Sequence, residues 1–481
     1  MQFNHFAVPD GIAFSSFEER IIEDHGATLS LRSPCLSSED IVQLMQTIRE
    51  NRQKIKDYRT DQLIQIIDAA IQKWLDPNYP LRQFAEKWVP IITGYDKNMV
   101  RLELKQFLRL FRKKELLRFI QQEFPSISVL DEFYPQSNGG WSRAYGPEFI
   151  FHIFSGNVPG LPIWSLVMGI LLKSANFGKT PTGEPLMAIL FAQSLREVNV
   201  DVANTLAILP WKGGNQELEA PLYQGSDTVI AYGSNETVEQ IRKQIPSSTR
   251  FLHYGYKISF AMVGREALRQ DLYRDTLRRL RDDMTIYDQQ ACLSPHLVFI
   301  EAGGNVSPRM LAQQLSSELQ QYALIRTRAK LSPEESQAIR SLRNEYEFKA
   351  MTNPNVAVYQ SEIGTEWTVI YHKDLSFQPS PLNRTIHVVQ CEHLEESIPA
   401  ILPFREYLQT VGIATHPTRL MHLSGILGEQ GVTRICAIGS MNRSVPGWHH
   451  DGRFNLIDLV RWVDLEGSAE ALAEQYDLDV E

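Results

Sequence analysis

The sequence predicts an α/β fold in which a mostly helical amino-terminal region precedes domains built on parallel sheets. Two patterns lead to this prediction. Apolar side chains recur at three- and four-residue spacing between residues 38 and 123, which is typical of amphipathic helices. From about residue 149 onward, short apolar runs alternate with helical stretches, which is typical of βαβ units. The length of 481 residues agrees with this organisation, since it corresponds to roughly three domains.

The composition limits the function classes that the chain can serve. The net charge is −9, and 43% of the residues are hydrophobic and 22% charged. These proportions indicate a globular protein, and the acidic balance disfavours a surface that binds nucleic acid. The four cysteines are too few and too widely spaced for a disulfide scaffold or a CxxC metal site. We therefore expect a cytoplasmic protein with reduced thiols, no metal and no nucleic-acid partner.

One uncharged stretch, Phe149–Leu172, is long enough to cross a membrane as a helix. Glycine and proline residues interrupt it between Ser155 and Pro162, and such a break would leave backbone groups unsatisfied in lipid. We predict instead a strand, a tight turn and a buried helix. The segment Met1–Phe17 lacks the charged and apolar regions of a signal peptide. No membrane span and no secretion signal are expected.

The helical region is predicted to begin with Ser38 as the N-cap of its first helix. Basic side chains form a stripe near its end, at Arg101, Lys105, Arg109, Arg112, Lys113, Lys114 and Arg118. Such a stripe can bind nucleic acid or a membrane surface, but a solvated helix face is the favoured interpretation in an acidic protein.

Short apolar runs predict the strands of the α/β region, over residues 149–154, 176–179, 205–209, 228–232 and 258–263. A second α/β block follows. It is predicted to contain a helix over Arg265–Asp283, a strand over Leu297–Glu301 and a helix that begins at Ser307 and Pro308. The segment Phe454–Glu466 predicts a short helix followed by a final strand.

Cys292 is the candidate nucleophile. It lies in the polar segment Tyr287–Pro295, between a predicted helix and a predicted strand. A loop in this place can expose a thiol and surround it with amide dipoles that favour the thiolate. Cys391 and Cys436 lie in apolar strand-like runs, where cysteine is usually a small core residue. On the residues alone, a structural role for Cys292 remains open.

Further candidates follow predicted strands, at the edge where open α/β sheets bind nucleotides. Asn157 lies in the turn after the first strand, where its amide can stabilise an oxyanion or simply close the turn. Lys179 ends the second strand. Gly233 and Ser234 precede a helix, so they can hold a pyrophosphate or form an ordinary N-cap.

The adjacent residues His449, His450 and Asp451 raise the question of a metal site. Neighbouring side chains of a strand point to opposite faces, and no further ligand follows at metal-binding spacing. We predict no metal here.

Taken together, Asn157, Lys179, Gly233, Ser234 and Cys292 occur in the order used by the aldehyde dehydrogenase superfamily. More closely, the chain resembles the acyl-CoA reductase family, which includes the fatty-acid reductase subunit of bacterial bioluminescence. The closer resemblance rests on the segments Ser155–Gly160, His253–Phe260, Asp288–Pro295, His450–Gly452 and Leu459–Asp464. It extends over residues 130–466.

The resemblance implies an aldehyde dehydrogenase-like arrangement of domains. Residues 1–138 would be a mostly helical part of the nucleotide-binding domain, and residues 151–258 its Rossmann-like, NADP-binding core. Residues 139–150 would form a β extension used for oligomerisation. Residues 259–453 would be the catalytic domain with Cys292, and residues 454–481 a helix and strand that return to the β extension.

The resemblance also implies a reaction, the NADPH-dependent reduction of a long-chain fatty acyl thioester to fatty aldehyde through an acyl-enzyme on Cys292. Asn157 would stabilise the oxyanion, and Gly233 and Ser234 would contact the cofactor. Lys179 and Thr182 would face the adenosine ribose. Because Thr182 is neutral where NAD-preferring relatives often carry glutamate, NADPH is the expected cofactor.

His253 stands where the dehydrogenases carry the glutamate that activates water. Loss of that carboxylate would protect the thioester from hydrolysis, and His253 itself is a candidate acid or base for the reduction. The expected partners are a fatty acyl-CoA or an acylated protein, an acyl-protein synthetase and further copies of this chain. Two alternatives remain: a cysteine-dependent acyltransferase or thioesterase without nucleotide, and a non-catalytic protein of this fold.

Overall fold

A computed structural model describes residues 1–24, 26–137 and 139–477. The chain opens with a small sheet that the sequence did not predict. Its strands are β1 (Gln2–Asn4), β2 (Phe17–Asp24) and β3 (Ala27–Pro34). β3 lies in the middle, parallel to β1 and antiparallel to β2. Most side chains of β2 are exposed and charged, so the strand carries no apolar alternation that would have revealed it.

Five helices follow, as the apolar periodicity predicted: α1 (Ser38–Ile55), α2 (Thr60–Leu75), α3 (Pro80–Thr93), α4 (Lys97–Leu108) and α5 (Lys113–Glu123). The predicted N-cap of α1 is displaced by one residue. Ser37 rather than Ser38 caps the helix, because its hydroxyl accepts from the Asp40 amide and the Asp40 carboxylate accepts from the Ser37 amide. This reciprocal pair is a capping box.

A five-stranded parallel sheet forms the centre of the first α/β domain. The elements of this part of the chain are β4 (Tyr134–Pro135), β5 (Trp141–Tyr145), β6 (Phe149–Ile153), α6 (Leu161–Leu171), β7 (Ala175–Thr180), α7 (Met187–Arg196), α8 (Val200–Ala203), β8 (Leu206–Pro210), α9 (Gln216–Gly225), β9 (Thr228–Tyr232), α10 (Asn235–Arg242) and β10 (Arg250–Tyr254). The strand order is β10-β9-β6-β7-β8. The ends of β6, β7 and β9 therefore meet along one edge.

A seven-stranded sheet forms the second α/β domain. Its elements are β11 (Ile258–Val263), α11 (Tyr273–Thr285), β12 (Pro295–Glu301), α12 (Pro308–Ile325), α13 (Pro333–Thr352), β13 (Val356–Gln360), β14 (Thr368–His372), β15 (Thr385–Cys391), α14 (Ile398–Ile401), β16 (Leu408–Ala414), α15 (Pro417–Glu429) and β17 (Arg434–Ala437). The order is β13-β14-β15-β12-β11-β16-β17, and only the edge strand β13 runs antiparallel to its neighbour.

The carboxyl-terminal segment returns to the first half of the chain. β18 (Arg461–Leu465) pairs antiparallel with β5, in a sheet ordered β18-β5-β4, and α16 (Gly467–Glu474) follows. No side chain of α16 is buried.

Within the described ranges, no helix is both long and apolar enough to cross a membrane. The stretch Phe149–Leu172 forms β6, a turn and α6 instead, as its glycine and proline residues predicted.

Candidate active site

A cavity of about 540 Å³ lies between the two α/β domains. Of the seven candidate residues from the sequence, Cys292, Asn157, Gly233 and Ser234 line it. His253, Lys179 and Thr182 are not among its lining residues. The structure thus brings the candidate nucleophile, the Asn157 amide and the glycine-serine turn together.

The backbone just before Cys292 is strained. Three consecutive residues other than glycine adopt left-handed conformations, with φ of 51° at Tyr287, 50° at Asp288 and 71° at Gln289. Side chains destabilise this region of φ and ψ, at a cost of about 1 kcal/mol or more per residue. Such a run persists only where surrounding contacts hold it.

A second left-handed run provides those contacts. Leu382, Asn383 and Arg384 have φ of 61°, 57° and 62°. The Arg384 guanidinium donates to the Asp288 carboxylate at 2.8 Å, and both side chains are 2% exposed. The two runs therefore interlock through a buried ion pair.

Backbone groups complete this interlock. The Thr385 amide donates to Gln289 Oε1 at 2.9 Å, and Gln289 Nε2 donates to the carbonyls of Thr385 and Pro295 at 2.9 and 2.7 Å. Because Thr385 begins β15 and Pro295 begins β12, the turn that carries Cys292 is fixed to two neighbouring strands of the sheet.

Asn157 reaches this turn from the first domain. Its Nδ2 donates to the carbonyl of Gln290 at 2.8 Å, and its Oδ1 accepts a hydrogen bond from the Ser155 hydroxyl. The Tyr95 hydroxyl fixes the Asn157 carbonyl at 2.8 Å. One amide hydrogen of Asn157 is used by Gln290, and among the described residues the second has no acceptor, so it can meet one in the cavity.

The Cys292 thiol differs from the sequence-based expectation. Burial raises its pKa to about 12, and the negative charge of Asp451 adds to this shift. The side chains of Gln409 and Arg434 act in the opposite direction. Burial therefore favours the protonated thiol at Cys292 over the expected thiolate.

Stacked rings form one wall of the cavity. The ring of Tyr254 lies 4.7 Å from that of Tyr232 and 4.3 Å from that of His450, and Trp448 lies 4.8 Å beyond His450. Tyr232 and Tyr254 end neighbouring strands in register, a pattern that the sequence analysis overlooked. His450 and Asp451, for which the sequence predicts no catalytic role, also line the cavity.

His449 and His450 do face different surroundings. The His449 ring packs on Phe454 at 4.8 Å, whereas His450 stacks on Tyr254. Among the residues that the structure describes, no group of three or more histidine, cysteine or acidic side chains is arranged to hold a metal ion.

His253 is not among the residues that line the cavity. It lies on β10, where alternate side chains face opposite sides, and Tyr254 is the residue that lines the cavity. The His253 ring lies 5.3 Å from Phe251, and burial, with the charge of Arg242, lowers its pKa. The cavity also contains the carboxylates of Glu103 and Asp451, so the absence of glutamate at position 253 does not leave it free of carboxylates.

Lys179 and Thr182 lie beyond the cavity, at the carboxyl end of β7. The Lys179 ammonium is 5.9 Å from the centre of the Trp211 ring. Burial lowers its pKa, and the charge of Glu219 opposes that effect. The Glu219 carboxylate accepts from the Trp211 indole at 3.0 Å and from the Tyr223 hydroxyl at 3.2 Å, while Thr182 is exposed.

Gly233 and Ser234 form the turn between β9 and α10. Ser234 is the N-cap, with its hydroxyl accepting from the Thr237 amide at 3.3 Å. A Cβ atom at Gly233 would lie 3.3 Å from Thr237, so a side chain would crowd this turn. The ordinary capping role is realised, and both residues line the cavity.

The chain is similar to known proteins over most of its length. The family model for acyl-CoA reductase (LuxC) matches residues 55–462. The long-chain acyl-protein thioester reductase of Aliivibrio fischeri is 27% identical over 412 residues, which cover 84% of this chain and 82% of that protein. The enzyme of the same name from Vibrio harveyi is 24% identical over 441 residues, covering 90% and 88% of the two chains.

Solved structures share the fold at low sequence identity. Aldehyde dehydrogenase 21 from Physcomitrella patens, in complex with succinate, has a TM-score of 0.72 and 11% identity, covering 96% of this chain and 98% of that one. NADP-dependent glyceraldehyde-3-phosphate dehydrogenase from Bacillus halodurans, complexed with NADP, has a TM-score of 0.71 and 13% identity, covering 97% and 100%. The predicted aldehyde dehydrogenase-like α/β fold is confirmed.

Proposed function

Because this chain belongs to the acyl-CoA reductase (LuxC) family, and is thus an oxidoreductase that converts an acyl thioester to an aldehyde, we propose that its substrate is a long-chain fatty acyl thioester and its cofactor NADPH. One observation carries the proposal: Cys292, Asn157 and the Gly233–Ser234 turn line the same cavity. One reaction could then use Cys292 as nucleophile, Asn157 as oxyanion donor and the Gly233–Ser234 turn as phosphate-binding site.

The apolar part of the cavity supports a fatty acyl group. Its wall is formed by side chains of α4, of the turn after α4, of the turn before α6 and of α6, namely Phe107, Leu110, Val158, Leu161 and Trp164. Such a surface gains from burying methylene groups, at about 0.8 kcal/mol for each. The relatives named above are long-chain acyl-protein thioester reductases. Their names support a long-chain acyl group as the substrate of this protein too.

In the proposed reaction, the Cys292 sulfur attacks the acyl carbon and the donor thiol departs, leaving an acyl-enzyme thioester. The free amide hydrogen of Asn157, together with the backbone N–H of Cys292, stabilises the oxygen as negative charge develops on it. The nicotinamide supplies a hydride when bound. Collapse of the resulting hemithioacetal breaks the bond to Cys292 and releases the aldehyde.

The residues at the strand ends fit a dinucleotide. The uncrowded Gly233 turn and the first amides of α10 would hold the pyrophosphate. Lys179 and Thr182 would face the adenosine ribose, where an ammonium and a neutral hydroxyl tolerate a 2′-phosphate. Neighbours in complex with NADP and with NAD share the fold, and the proposed preference for NADPH rests on Lys179 and Thr182.

The partners are also proposals. The acyl donor is an acyl-CoA or an acylated protein, the latter supplied by an acyl-protein synthetase. Oligomerisation through the sheet β18-β5-β4 is supported by β18, which lies at an edge of that sheet and exposes Trp462 and Leu465 by 37% and 38%. Light scattering of the wild-type protein and of Trp462→Arg measures the assembly, and an unchanged mass would argue against this edge.

The test of the function combines two readouts. Protein, palmitoyl-CoA and NADPH are mixed, and the near-ultraviolet absorbance of NADPH is followed while aldehyde is quantified by mass spectrometry. Loss of absorbance with equal aldehyde formation is expected. Fatty acid release without NADPH oxidation would favour the thioesterase, and no turnover with any of several acyl donors would favour a non-catalytic protein.

A further inference from the structure

The basic stripe on α4 and α5 is concentrated in one part of an acidic chain. Residues 97–118 contain eight basic and two acidic side chains, whereas the whole chain has a net charge of −9. Five of the seven stripe residues are exposed, and the other two, Lys105 and Arg112, are half-buried. The stripe is therefore a positive surface on a molecule that is negative as a whole.

Much of this positive charge is not neutralised within the protein. Three of the seven side chains pair with a carboxylate, at 3.7 Å or less. The other four have no carboxylate within ion-pair distance in the described part of the chain, namely Lys105, Arg109, Lys113 and Lys114. These four cations are available to a partner of opposite charge.

The spacing of these charges is unfavourable for a helix that only faces water. Arg101, Lys105 and Arg109 follow one another at four-residue steps along α4 and its C-cap, and like charges at this spacing destabilise a helix. In α13, by contrast, the same spacing joins opposite charges, because Glu345 pairs with Lys349 at 2.6 Å. The row of cations on α4 thus has a cost that an acidic partner would offset.

The same helix borders an opening of the active-site cavity. Gln106 and Arg443 both line the cavity and are both exposed, so the cavity reaches the protein surface beside α4. Arg109 lies one turn beyond Gln106 and Leu102 one turn before it, and residues at this spacing are neighbours on a helix surface. The Leu102 side chain is 48% exposed. An apolar side chain and a row of cations therefore flank the opening.

A groove of about 990 Å³, bordered by α2 and α5, adjoins this region. Five side chains of the stripe line the groove, together with leucine side chains of α2 and α5. Its two carboxylates, Asp68 and Glu115, are already paired with arginines of the stripe. Arg109 lines the groove, whereas the next residue, Leu110, lines the active-site cavity. The basic groove and the cavity therefore meet at one turn of the chain.

An acyl donor that docks here must bring its thioester to a sulfur inside the protein. Cys292 lines a cavity of about 540 Å³, which is too small to admit a folded protein. A protein donor therefore needs a flexible arm that carries the thioester through the opening while its body stays outside. The pantetheine of CoA is such an arm, and a carrier protein that bears the same arm presents the same thioester.

We propose that the basic stripe and its groove are the docking surface for an acidic carrier protein, which inserts an acylated pantetheine arm at the opening beside Gln106. This inference rests on the proposed function, in which an acylated protein is one of the acyl donors. Charge complementarity and extent select the occupant. The phosphates of CoA lie close together on one nucleotide, whereas Arg101 and Arg109 are about 12 Å apart along the helix axis, and the stripe continues into α5.

The first experiment compares two donors that share the thioester and its arm. Rates of NADPH oxidation are measured with palmitoyl-acyl carrier protein and with palmitoyl-CoA, for the full-length wild type and two variants. The stripe variant removes the four unpaired cations, by Lys105→Gln, Arg109→Gln, Lys113→Gln and Lys114→Gln. The control variant removes four exposed cations outside the stripe, the groove and the cavity, by Lys56→Gln, Arg278→Gln, Arg340→Gln and Lys373→Gln.

The stripe variant is expected to lose about tenfold or more in kcat/KM for the carrier protein, the lower end of the effect of electrostatic steering on association. Its kcat/KM for palmitoyl-CoA is expected to change far less, and the control variant should match the wild type with both donors. An equal loss with both donors would show that the stripe binds the CoA phosphates or supports the fold, and would overturn the proposal. An unchanged rate with the carrier protein would overturn it as well.

A second experiment locates the contact. The photo-reactive residue p-benzoylphenylalanine replaces Leu102 beside the opening or, as a control, Ile363, which is 86% exposed in the second α/β domain. After irradiation with palmitoyl-acyl carrier protein, a crosslink is expected from position 102 and not from position 363. High salt should suppress this crosslink, because it screens exposed charges. Crosslinks of equal yield from both positions would contradict a defined docking surface.

The remaining outcomes separate this inference from the proposed function. A wild type that reduces palmitoyl-CoA but not palmitoyl-acyl carrier protein would overturn the docking surface and leave the proposed function standing. A wild type that reduces neither donor would refute the proposed function, and the inference with it. Sedimentation with phosphatidylglycerol vesicles that depends on the stripe, without an effect of the stripe on the carrier-protein rate, would assign this surface to a membrane instead.

Discussion

The two sides of the cavity are built in different ways. On the nucleophile side, Cys292 follows three left-handed residues that a buried ion pair, Asp288–Arg384, holds in place. On the side of the first domain, Lys179 and Ser234 lie at strand ends, where an ordinary N-cap and one ring contact surround them. The fold therefore fixes the proposed reacting atom by strain and burial, whereas the proposed cofactor edge is partly exposed and simply built.

This difference has an energetic consequence. The interlocked turns combine a local backbone cost with a buried charge pair, and removing one partner of such a pair leaves an uncompensated charge. The proposed cofactor edge carries exposed or partly exposed groups, whose substitution usually changes stability by less than 0.5 kcal/mol, as an order of magnitude. Substitutions at the interlocked turns should therefore lower the free energy of unfolding, whereas substitutions at the proposed cofactor edge should leave it nearly unchanged.

Replacing the nucleophile gives the largest effect. Cys292→Ala is expected to abolish covalent acylation by acyl-CoA, because the only thiol lining the cavity among the described residues is removed. Mass spectrometry of the intact protein after incubation with acyl-CoA measures the adduct. Cys35→Ala and Cys436→Ala serve as controls that should be acylated normally, and an adduct on Cys292→Ala would disprove the assignment.

Breaking the interlock tests the strained side directly. Arg384→Met is expected to lower the free energy of unfolding by about 3–5 kcal/mol, because Asp288 loses its partner while buried. Urea unfolding measures the change. The pair variant Asp288→Asn with Arg384→Met should recover part of it, since no buried charge is then left alone, and equal losses for the single and double variants would show that the pair does not support this turn.

The sequence predicted much of the fold because the relevant signals are local. The strand Thr228–Tyr232 and the strand Ile258–Val263 were predicted with the bounds that the structure has. The first sheet was missed because β2 is exposed and charged. The helix predicted over Arg265–Asp283 is divided, with α11 beginning only at Tyr273.

The site was harder to predict because its chemistry depends on residues distant in sequence. The loop context of Cys292 predicted a thiolate, but the raised pKa comes from burial and from Asp451, far along the chain. The prediction for His253 depends on the alternation of β10, where a shift of one residue exchanges the two faces. Tyr254 lines the cavity in its place.

On the other side of the comparison, Lys179→Ala tests the proposed cofactor edge. The KM for NADPH is expected to rise about tenfold or more, because a charge-assisted hydrogen bond contributes roughly 1.5–3 kcal/mol. Acylation of Cys292 in the absence of NADPH should be nearly unchanged. Steady-state kinetics and the adduct assay measure the two steps, and a slower acylation would show that this edge also positions the nucleophile.

A smaller effect is expected from Thr182→Glu. The side chain is exposed, so repulsion between the new carboxylate and a 2′-phosphate is screened to about 1 kcal/mol. That value corresponds to a rise of roughly fivefold in the KM for NADPH. NADH has no 2′-phosphate and should be affected less. Equal losses for the two cofactors would show that residue 182 does not face the ribose.

The smallest effect is expected at His253. If this residue were the counterpart of the water-activating glutamate, His253→Glu would increase the release of free fatty acid and lower the aldehyde formed per NADPH oxidised. Its ring lies 5.3 Å from that of Phe251, and the residue is not among those that line the cavity, which already contains the carboxylate of Asp451. A carboxylate on that face of β10 is not expected to reach the thioester, so the partition between aldehyde and fatty acid should stay the same in His253→Glu and in His253→Gln. Quantifying both products in both variants decides the matter: a gain of fatty acid in the glutamate variant alone would show that residue 253 does turn toward Cys292 during the reaction.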